Sequence, residues 1–539
     1  MSLFEKLLKK RGVDEGFLHP EYGPDFTHLP DAEKACERIC RAADSGEKVL
    51  VYGDYDVDGV TASALMQEML RMVGVHPEDI KVVLPDRFKD GYGMNERVID
   101  TAQEFGAKLV ITVDCGSSNG DIVAKLAEQG IETIVTDHHA IITELPPAVA
   151  VVNAQRSDFS APEAEDLRQL SGAGVVFILA REMVQRGRIA DGQEKWLLDL
   201  AAIGAICDAM PLTGTNRMIC HYGMVVIEKT RRVGLRELMR VAGVKAPVTT
   251  DMIGFQIGPR LNAAGRMKSA EVAFKLLTAE SPAEAVRLAA ELEELNAERK
   301  KQQNAAVAEV KKTGVGTEPV IFVKGKWHEG VLGIIAGRLV EEYRRPAFVL
   351  TEVSPGVYKG SGRSFGDFSL AQALSECQKY LVQCGGHAGA CGLTVLEENL
   401  SEFQSAVQSF YRGLSLQNQE RFLEVAEDLA VTDLSELNAE LCAKLKLLEP
   451  YGEGNPEPIW LLPDMFVLGV QKMGAEGQHL KLTVRDESGN VLKLIAFYTK
   501  EEWLEVGAGE RVDVYVSLME NEWQGEKTVE GRIVRLDRK

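Results

Sequence analysis

The sequence lacks any run of about 18 consecutive apolar residues, the length a helix needs to cross a bilayer, so we expect no membrane association. Its first eleven residues are charged and amphipathic, without the apolar stretch and small-residue cleavage site of a secretory signal. Its nine cysteines are scattered and form no Cys-x-x-Cys pair, which is typical of a reducing compartment. These absences together predict a cytoplasmic protein.

The sequence also lacks an excess of positive charge. The formal net charge is −20, whereas a protein that holds nucleic acid through its overall charge is normally basic. Any polyanion must therefore be held locally, by basic side chains and metal ions in a cleft. Repeats and low-complexity segments are absent too, and 539 residues are enough for about three or four domains.

Strands and helices alternate in the first part of the chain. Short apolar runs predict strands at 48–52, 80–84, 109–113, 131–135 and 149–152, and apolar residues at helical spacing predict a helix over 61–72. Continuous apolar strands that alternate with helices indicate an α/β fold with a doubly wound parallel sheet.

The rest of the chain predicts a connector, a second α/β unit and a barrel. Residues 281–312 form a highly charged helix that we interpret as a solvent-exposed connector, and residues 451–456 have the composition of a linker. Period-two alternation after them indicates a five-stranded antiparallel barrel of the oligonucleotide-binding (OB) type. The predicted parts are a helical segment 1–43, an α/β domain 44–280, a connector helix 281–313, a second α/β domain 314–415, a helical linker 416–455 and the barrel 456–539.

Acidic and imidazole side chains follow three of the predicted strands. Parallel strands present their carboxyl ends at one edge of the sheet, where ligands bind, so these side chains should meet. So many acids in one place would repel unless cations neutralised them, and the mixture of oxygen and nitrogen ligands suits Mn²⁺ or Mg²⁺. The residues concerned are Asp54, Asp56 and Asp58, then Asp114, and finally Asp137, His138 and His139.

A two-metal centre needs a ligand that both ions share. Asp114 stands alone after its strand and suits that position, and Asp208 places one more carboxylate after an apolar run. Such a centre activates a water molecule for in-line attack on a phosphodiester. In the loop after the first strand, Gly59 would permit a tight turn into the next helix.

The order of these motifs resembles that of the DHH phosphoesterase superfamily. The motifs are GDYDVDG at 53–59, VDCG at 113–116, TDHH at 136–139 and CD at 207–208. Further motifs are similar to those of its RecJ branch, with its DHH-associated domain: GPRLNAAGR at 258–266, WHEG at 327–330, SGRS at 361–364 and GGH at 385–387. This resemblance extends over nearly the whole chain from about residue 45.

The resemblance implies a 5′-to-3′ exonuclease for single-stranded DNA that depends on two divalent cations, Mn²⁺ or Mg²⁺, and acts in DNA repair and recombination. By motif, Asp54, Asp56 and Asp114 hold one ion, and Asp58, Asp114, His138 and Asp208 hold the other. His139 contacts the phosphate, and Asp137 orients a neighbouring histidine; with Asp114 these two are the predicted catalytic residues. Single-stranded DNA, a helicase and a single-strand-binding protein are the implied partners, and we expect a monomer.

Candidate nucleic-acid contacts are basic or polar groups that lie mostly in the second set of motifs. Guanidinium groups match phosphate oxygens, and glycines let the backbone approach a phosphate closely. Tyr92 is a further candidate, for stacking on a base. The predicted contacts are Arg87, Arg260, Asn262, Arg266, His328, Ser361, Arg363 and His387.

Two alternatives stay open at this point. One is a phosphodiesterase for short oligoribonucleotides or nucleotides from the same superfamily. The length of the chain and its barrel argue against that, as does Tyr52, which stands where the superfamily's pyrophosphatases usually carry a histidine. The other alternative is a catalytically inactive scaffold that only binds DNA, and the intact acidic motifs argue against it.

Overall fold

The computed structural model describes residues 1–539 except 24, 25, 27, 92, 142, 143, 415–425, 475–477, 498, 500, 524 and 525. Tyr92, the predicted stacking residue, therefore lies outside the described residues. No helix in the described part of the chain is long and apolar enough to cross a membrane.

The first unit is built on a five-stranded sheet in which all strands are parallel. The order across the sheet is β2-β1-β3-β4-β5. The strands other than β2 are largely buried apolar runs, as predicted, whereas β2 at the sheet edge is only partly buried. Clusters of apolar side chains cover both faces, which confirms the doubly wound α/β prediction. The strands are β1 (Val49–Tyr52), β2 (Ile80–Val83), β3 (Leu109–Val113), β4 (Glu132–Thr136) and β5 (Ala150–Val152).

Helices account for most of the remaining residues up to 313. They are α1 (Leu3–Arg11), α2 (Glu15–Leu18), α3 (Ala32–Ser45), α4 (Val57–Met72), α5 (Arg97–Phe105), α6 (Gly120–Glu128), α7 (Ala164–Leu167), α8 (Gly172–Gln185), α9 (Leu198–Cys207), α10 (Gly214–Glu228), α11 (Val233–Ala242), α12 (Thr250–Met252), α13 (Gly258–Met267), α14 (Glu271–Leu277) and α15 (Pro282–Thr313). A π-helical turn, Ile253–Ile257, joins α12 to α13.

The long helix α15 is not simply solvent-exposed, as its charge had suggested. Ala285, Leu288 and Leu292 in its first half are buried, and so are Ala306 and Val310 near its end. The first three belong to the core of the first unit, and the last two belong to a core shared with the second α/β unit. Because the helix takes part in both cores, it holds the two units at a fixed separation.

The second α/β unit has a mixed sheet with the order β6-β7-β8-β10-β9. Only the β6–β7 pair is parallel. Its elements are β6 (Ile321–Gly325), α16 (Leu332–Tyr343), β7 (Ala347–Ser354), β8 (Val357–Arg363), α17 (Leu370–Glu376), β9 (Leu381–Gly386), β10 (Ala390–Leu396) and α18 (Glu397–Gly413).

A barrel of five strands follows, with the order β12-β13-β14-β16-β15, and pairing of β12 with β15 closes it. This confirms the predicted OB-type barrel, although the β14–β16 pair is parallel rather than antiparallel. The elements are β11 (Leu429–Ala430), which adds to β12, α19 (Ala439–Leu445), β12 (Trp460–Met473), β13 (His479–Arg485), β14 (Val491–Ala496), β15 (Arg511–Trp523) and β16 (Glu526–Arg538).

The N-terminal segment is divided between two units. Helix α3 packs on the first sheet, whereas Leu3, Phe4 and Leu7 of α1 belong to the barrel core with α19 and Trp460. Arg11 adds a two-fold ion pair with Asp428, at 2.6 and 2.7 Å. The first helix is thus part of the C-terminal unit, although more than 400 residues separate them along the chain.

Candidate metal centre

The first cluster of acids lies where β1 passes into α4. Asp56 caps this helix by accepting a hydrogen bond from the Gly59 N–H at 3.0 Å, and Asp58 lies in the first helical turn. The helix therefore begins four residues before the predicted start, and Asp58 is not in a loop. Gly59 is needed for close approach rather than for a turn, because an added Cβ would lie 2.6 Å from Cβ of Asp54.

Asp58 is held by a distant helix. Its carboxylate accepts hydrogen bonds from the backbone N–H groups of Gly172, at 2.5 Å, and Ala173, at 3.0 Å. These donors are the first residues of α8, where N–H groups lack partners within the helix and the helix dipole favours an anion. No signal in the sequence indicates this contact, because a helix N-terminus positions its donors through backbone geometry rather than residue type.

Asp114 lies directly after β3 in a left-handed backbone conformation with φ of 61°. This region is uncommon for residues other than glycine, and such strain is concentrated at functional sites. Its Oδ1 lies 3.1 Å from His138 Nε2 and 3.9 Å from His139 Nδ1. The residue therefore stands between the acids that follow β1 and the histidines that follow β4.

The acidic and imidazole groups form sets that could each hold one ion. In each set the ligand atoms lie within 4.8 Å of one another. One set is Asp54, Asp56 and Asp114, and a second is Asp58, His138 and Asp208. Asp114 is also close to His138, so it is the residue placed to serve both sets. A third set joins Asp114 to both histidines.

The acids repel one another. Burial and the charge of Asp56 raise the pKa of Asp58 to about 6, and burial with the charges of Asp58 and Asp56 raises the pKa of Asp208 to about 8. Burial first, and neighbouring carboxylates second, also raise the pKa values of Asp54 and Asp114 well above their usual range. Such a cluster is unfavourable near neutral pH unless cations compensate it.

The two histidines differ in their environment. Burial and the neighbouring His139 lower the pKa of His138 to about 4, so its neutral ring can act as a ligand. The ring of His139 lies with Nδ1 2.8 Å from Asp137 Oδ1. Although burial opposes it, this contact and the negative charge of Asp137 raise the pKa of His139 to about 9. An imidazolium is a poor metal ligand and a good donor to phosphate.

Asp137 is buried, and its carboxylate accepts several hydrogen bonds from the backbone around it. Its Oδ1 accepts from the backbone N–H groups of His138 and His139, and its Oδ2 accepts from Ser117 N–H at 3.0 Å. Despite burial, its hydrogen bond to His139 and the positive charge there hold its pKa at about 2. It therefore stays ionised and orients the ring of His139.

The cluster satisfies what bound divalent cations require of a protein. Oδ1 of Asp54 and Oδ1 of Asp114 are buried and accept no hydrogen bond from the described residues. Buried carboxylate oxygens rarely lack a partner, so coordination to a cation is a natural explanation. The donor set of aspartates and one neutral imidazole fits Mn²⁺ and Mg²⁺.

Guanidinium groups gather beside this cluster. Burial and the positive charges of Arg87, Arg363 and Arg299 lower the pKa of Arg266 to about 9, so the four groups lie close enough to repel. Among the described residues none of them has a carboxylate partner: Arg87 stacks on Tyr55, and Arg299 and Arg363 contact only neutral groups. In so acidic a chain, unpaired arginines are unusual and fit a polyanionic ligand.

Arg299 was missed in the sequence because it lies on the charged helix α15, where a solvated surface is the usual interpretation. Arg260 is placed differently. Its Nε donates to Glu293 Oε2 at 2.5 Å and its Nη1 to the Gln256 carbonyl, so part of its guanidinium joins α13 to α15. Its remaining N–H groups are available, and its contact with DNA stays a prediction.

The other predicted contacts are placed as follows. Nδ1 of His328 accepts from Gly330 N–H and Nδ1 of His387 from Gly389 N–H, so each neutral ring carries its proton on Nε2. The charges of Arg363 and His139 reach His387 and, after burial, help to lower its pKa. Ser361 lies beside Arg363, and Asn262 lines a cavity with Arg266.

Three known domain families match the three structural units of this chain. Residues 48–205 match the DHH family N-terminal domain, residues 303–413 the DHHA1 domain and residues 430–535 the RecJ OB domain. The chain is 35% identical to the single-stranded-DNA-specific exonuclease RecJ of Bacillus subtilis, with 97% of this chain aligned, but it spans only 66% of the length of that relative. It is 33% identical to RecJ of Escherichia coli over 94% of this chain and 90% of that protein.

Among solved structures, RecJ of Thermus thermophilus in complex with Mn²⁺ superposes with a TM-score of 0.84 at 30% identity, covering 99% of this chain and 75% of that one. The same protein has also been solved with Mg²⁺. Domain content, sequence identity and fold therefore agree, and the chain belongs to the RecJ family of single-stranded-DNA-specific exonucleases.

Proposed function

We propose that this protein hydrolyses single-stranded DNA from the 5′ end and releases nucleotides, using two divalent cations, Mn²⁺ or Mg²⁺. The observation that supports this most is the pair of ligand sets that meet at Asp114, next to arginines without carboxylate partners among the described residues. We also propose a role in DNA repair and recombination in the cytoplasm, action as a monomer, and cooperation with a helicase and a single-strand-binding protein; the resemblance to the family supports the role and the partners.

The side chains have distinct tasks in this proposal. Asp54, Asp56 and Asp114 would hold one ion, and Asp58, Asp114, His138 and Asp208 the other. Once bound, such a pair supplies a water nucleophile of lowered pKa and neutralises charge on the phosphate. His139, oriented by Asp137, donates Nε2–H to a phosphate oxygen, and Arg87, Arg266 and Arg363 bind phosphates through their guanidinium groups.

Arginines that bind a terminal phosphate explain why cleavage would start at a chain end. A phosphodiester inside a strand carries one negative charge, whereas a terminal phosphate carries nearly two, so clustered guanidinium groups favour the end. Arg363 comes from β8 of the second unit and lies close to Arg266 of α13 in the first unit. The 5′ polarity itself comes from the family resemblance.

The decisive experiment digests single strands that carry a label at either the 5′ or the 3′ end, with Mn²⁺, with Mg²⁺ or with chelator. We expect the 5′ label to appear at once as a mononucleotide, the 3′ label to shorten progressively, and chelator to stop both. A 5′-phosphate should be preferred over a 5′-hydroxyl, and Arg363→Ala should abolish that preference. Faster cleavage of dinucleotides would favour the phosphodiesterase alternative, and binding without cleavage would favour the scaffold.

A cavity of about 460 Å³ extends from the residues around Asp208 towards Phe255. Arg266, Arg299 and Asn262 line it together with Phe255, whose surface is 77% exposed on the π-helical turn before α13. An exposed aromatic ring beside unpaired guanidinium groups is typical of single-strand binding, with bases stacked on rings and phosphates held by arginines. We therefore propose Phe255 as the stacking residue that the sequence could not identify.

Phe255→Ala should weaken the binding of a single strand at least ~5-fold, because loss of one base–ring stack costs about 1–3 kcal/mol. The measurement is fluorescence of oligonucleotides containing 2-aminopurine, in an Asp114→Asn background that prevents cleavage. Phe255→Tyr should keep the quenching that stacking produces. Val286→Ala removes another exposed apolar side chain, outside this cavity, and should change nothing. Equal affinities for Phe255→Ala and its parent would refute the stack.

A further inference from the structure

Asp208 is a predicted metal ligand whose side chain receives little support from its surroundings. Two backbone N–H groups fix Asp58, but within the described part of the chain the Asp208 carboxylate accepts no hydrogen bond. Its Oδ2 lies 3.6 Å from His138 Nε2, and its side chain is 30% exposed. The position of this carboxylate must therefore come from its backbone.

That backbone adopts an unfavourable conformation immediately afterwards. Asp208 directly follows the last residue of α9, and Ala209 is left-handed with φ of 54°. For residues other than glycine the left-handed region costs about 1–2 kcal/mol, so neighbouring structure has to maintain it. Hydrogen bonds from Ala209 and Met210 N–H groups back to α9 close the chain reversal, and residues 210–212 then leave the helix.

Residues 451–455, which the sequence analysis interpreted as part of a linker, pack on this segment as a turn. Leu212 N–H donates to the Glu453 carbonyl at 2.8 Å, and Thr250 Oγ1 donates to the Tyr451 carbonyl at 2.7 Å. An added Cβ at Gly452 would lie 2.7 Å from the Leu212 side chain. Any larger residue at this position would therefore require the Leu212 side chain to move.

The turn is itself held firmly. The side-chain amide of Asn455, which is buried, donates to the carbonyls of Leu448 and Pro450 at 2.8 and 2.9 Å. Arg217 of α10 is 1% exposed and donates to the carbonyls of Leu447, Leu448 and Glu449. The turn is therefore fastened to the first unit on the side that follows Asp208.

We propose that the turn of residues 451–455 is a positioning element for Asp208, and that it thereby sets the affinity for the cation held by Asp58, His138 and Asp208. The proposal rests on the proposed function, because it takes Asp208 as a ligand. It gives the C-terminal part of the chain a role in building the metal centre, separate from any contact between the barrel and DNA.

The test is Gly452→Val in the full-length protein, with Mn²⁺ binding followed by electron paramagnetic resonance of the free ion. The new side chain has to displace the end of the Leu212 side chain, and on our proposal this shifts the segment after Asp208. We expect the wild-type protein to bind two Mn²⁺ ions. The variant should bind one ion with unchanged affinity and the other at least ~10-fold more weakly. A loss of this size is typical when groups that support metal ligands are changed. Asp208→Asn should give the same one-site pattern, and excess Mn²⁺ should restore the nuclease kcat of Gly452→Val.

Gly469→Val is the matched control, because Gly469 belongs to the same C-terminal unit and an added Cβ there meets nothing within 4 Å. It should bind both ions normally. If Gly452→Val does not fold, Thr250→Val removes only the hydrogen bond to Tyr451 and should weaken one ion a few-fold. Two normal ions in either folded variant, with a lowered melting temperature, would show a merely structural contact and overturn the inference. A wild type that binds no pair of ions would instead overturn the metal assignment.

Discussion

Asp114→Asn should abolish nucleotide release from single-stranded DNA, lowering the rate by roughly 10³-fold or more. Asp114 is the residue placed to serve both ligand sets, and an amide has neither the charge nor the second acceptor oxygen that bridging requires. Asparagine also tolerates the left-handed backbone found at this position. The measurement is mononucleotide release at saturating Mn²⁺.

The same variant should fold at least as well as wild type when metal is absent. Replacement removes a buried carboxyl whose pKa is raised well above its usual range by burial and by four neighbouring aspartates. The melting temperature in chelator should therefore stay the same or rise while activity disappears. Asp121→Asn, an exposed aspartate at the start of α6, is the matched control and should keep full activity. Residual activity near the wild-type rate in Asp114→Asn would exclude Asp114 as a shared ligand.

The metal-free protein should lose stability as pH rises from about 4 to about 8, and divalent cations should remove that loss. The pKa of Asp58 is raised to about 6 and that of Asp208 to about 8, from 3.8 for an ordinary aspartate. An acid whose pKa is higher in the folded state stabilises the fold while protonated, below its unfolded pKa. This contribution disappears as pH rises through the folded pKa values.

Bound cations reverse this dependence because they favour the ionised carboxylates. At a concentration one hundred times the Kd, each ion that binds only the folded state adds about 2.7 kcal/mol of stability. Melting temperatures are measured with Mn²⁺ and with chelator at pH 5 and pH 8. The difference between the two conditions should therefore be larger at pH 8 than at pH 5. In Asp208→Asn the difference between the two curves at pH 8 should shrink. Parallel curves in wild type would mean that these carboxyls do not bind cations.

The strands and the acidic centre could be predicted because their signals are local. Buried strands are short apolar runs, and the ligands follow them directly in the sequence, as Asp54 and Asp114 do. Parallel pairing then brings those ends together without any knowledge of side-chain contacts. Family motifs added residues of the second unit, such as Arg363.

The remaining features depend on contacts between distant segments. The N–H groups of Gly172 and Ala173 reach Asp58 across 114 and 115 residues, and helix N-termini carry no residue signature of such a role. The sequence does not distinguish the environments of Arg260 and Arg299. Only the position of Glu293 in the folded chain shows that Arg260 forms an internal ion pair. The turn after Pro450 has the composition of a flexible connection, yet Leu212 and Arg217 hold it.

The packing of α1 into the barrel core has a consequence for how the chain is made. Leu7 is fully buried against residues such as Trp460 and Val516, which emerge from the ribosome long after it. At about 5–20 residues per second, this interval is roughly half a minute to a minute and a half. During that time the apolar stripe of the first helix lacks its partners in this core, so we expect a chaperone to cover it until the barrel strands have been made.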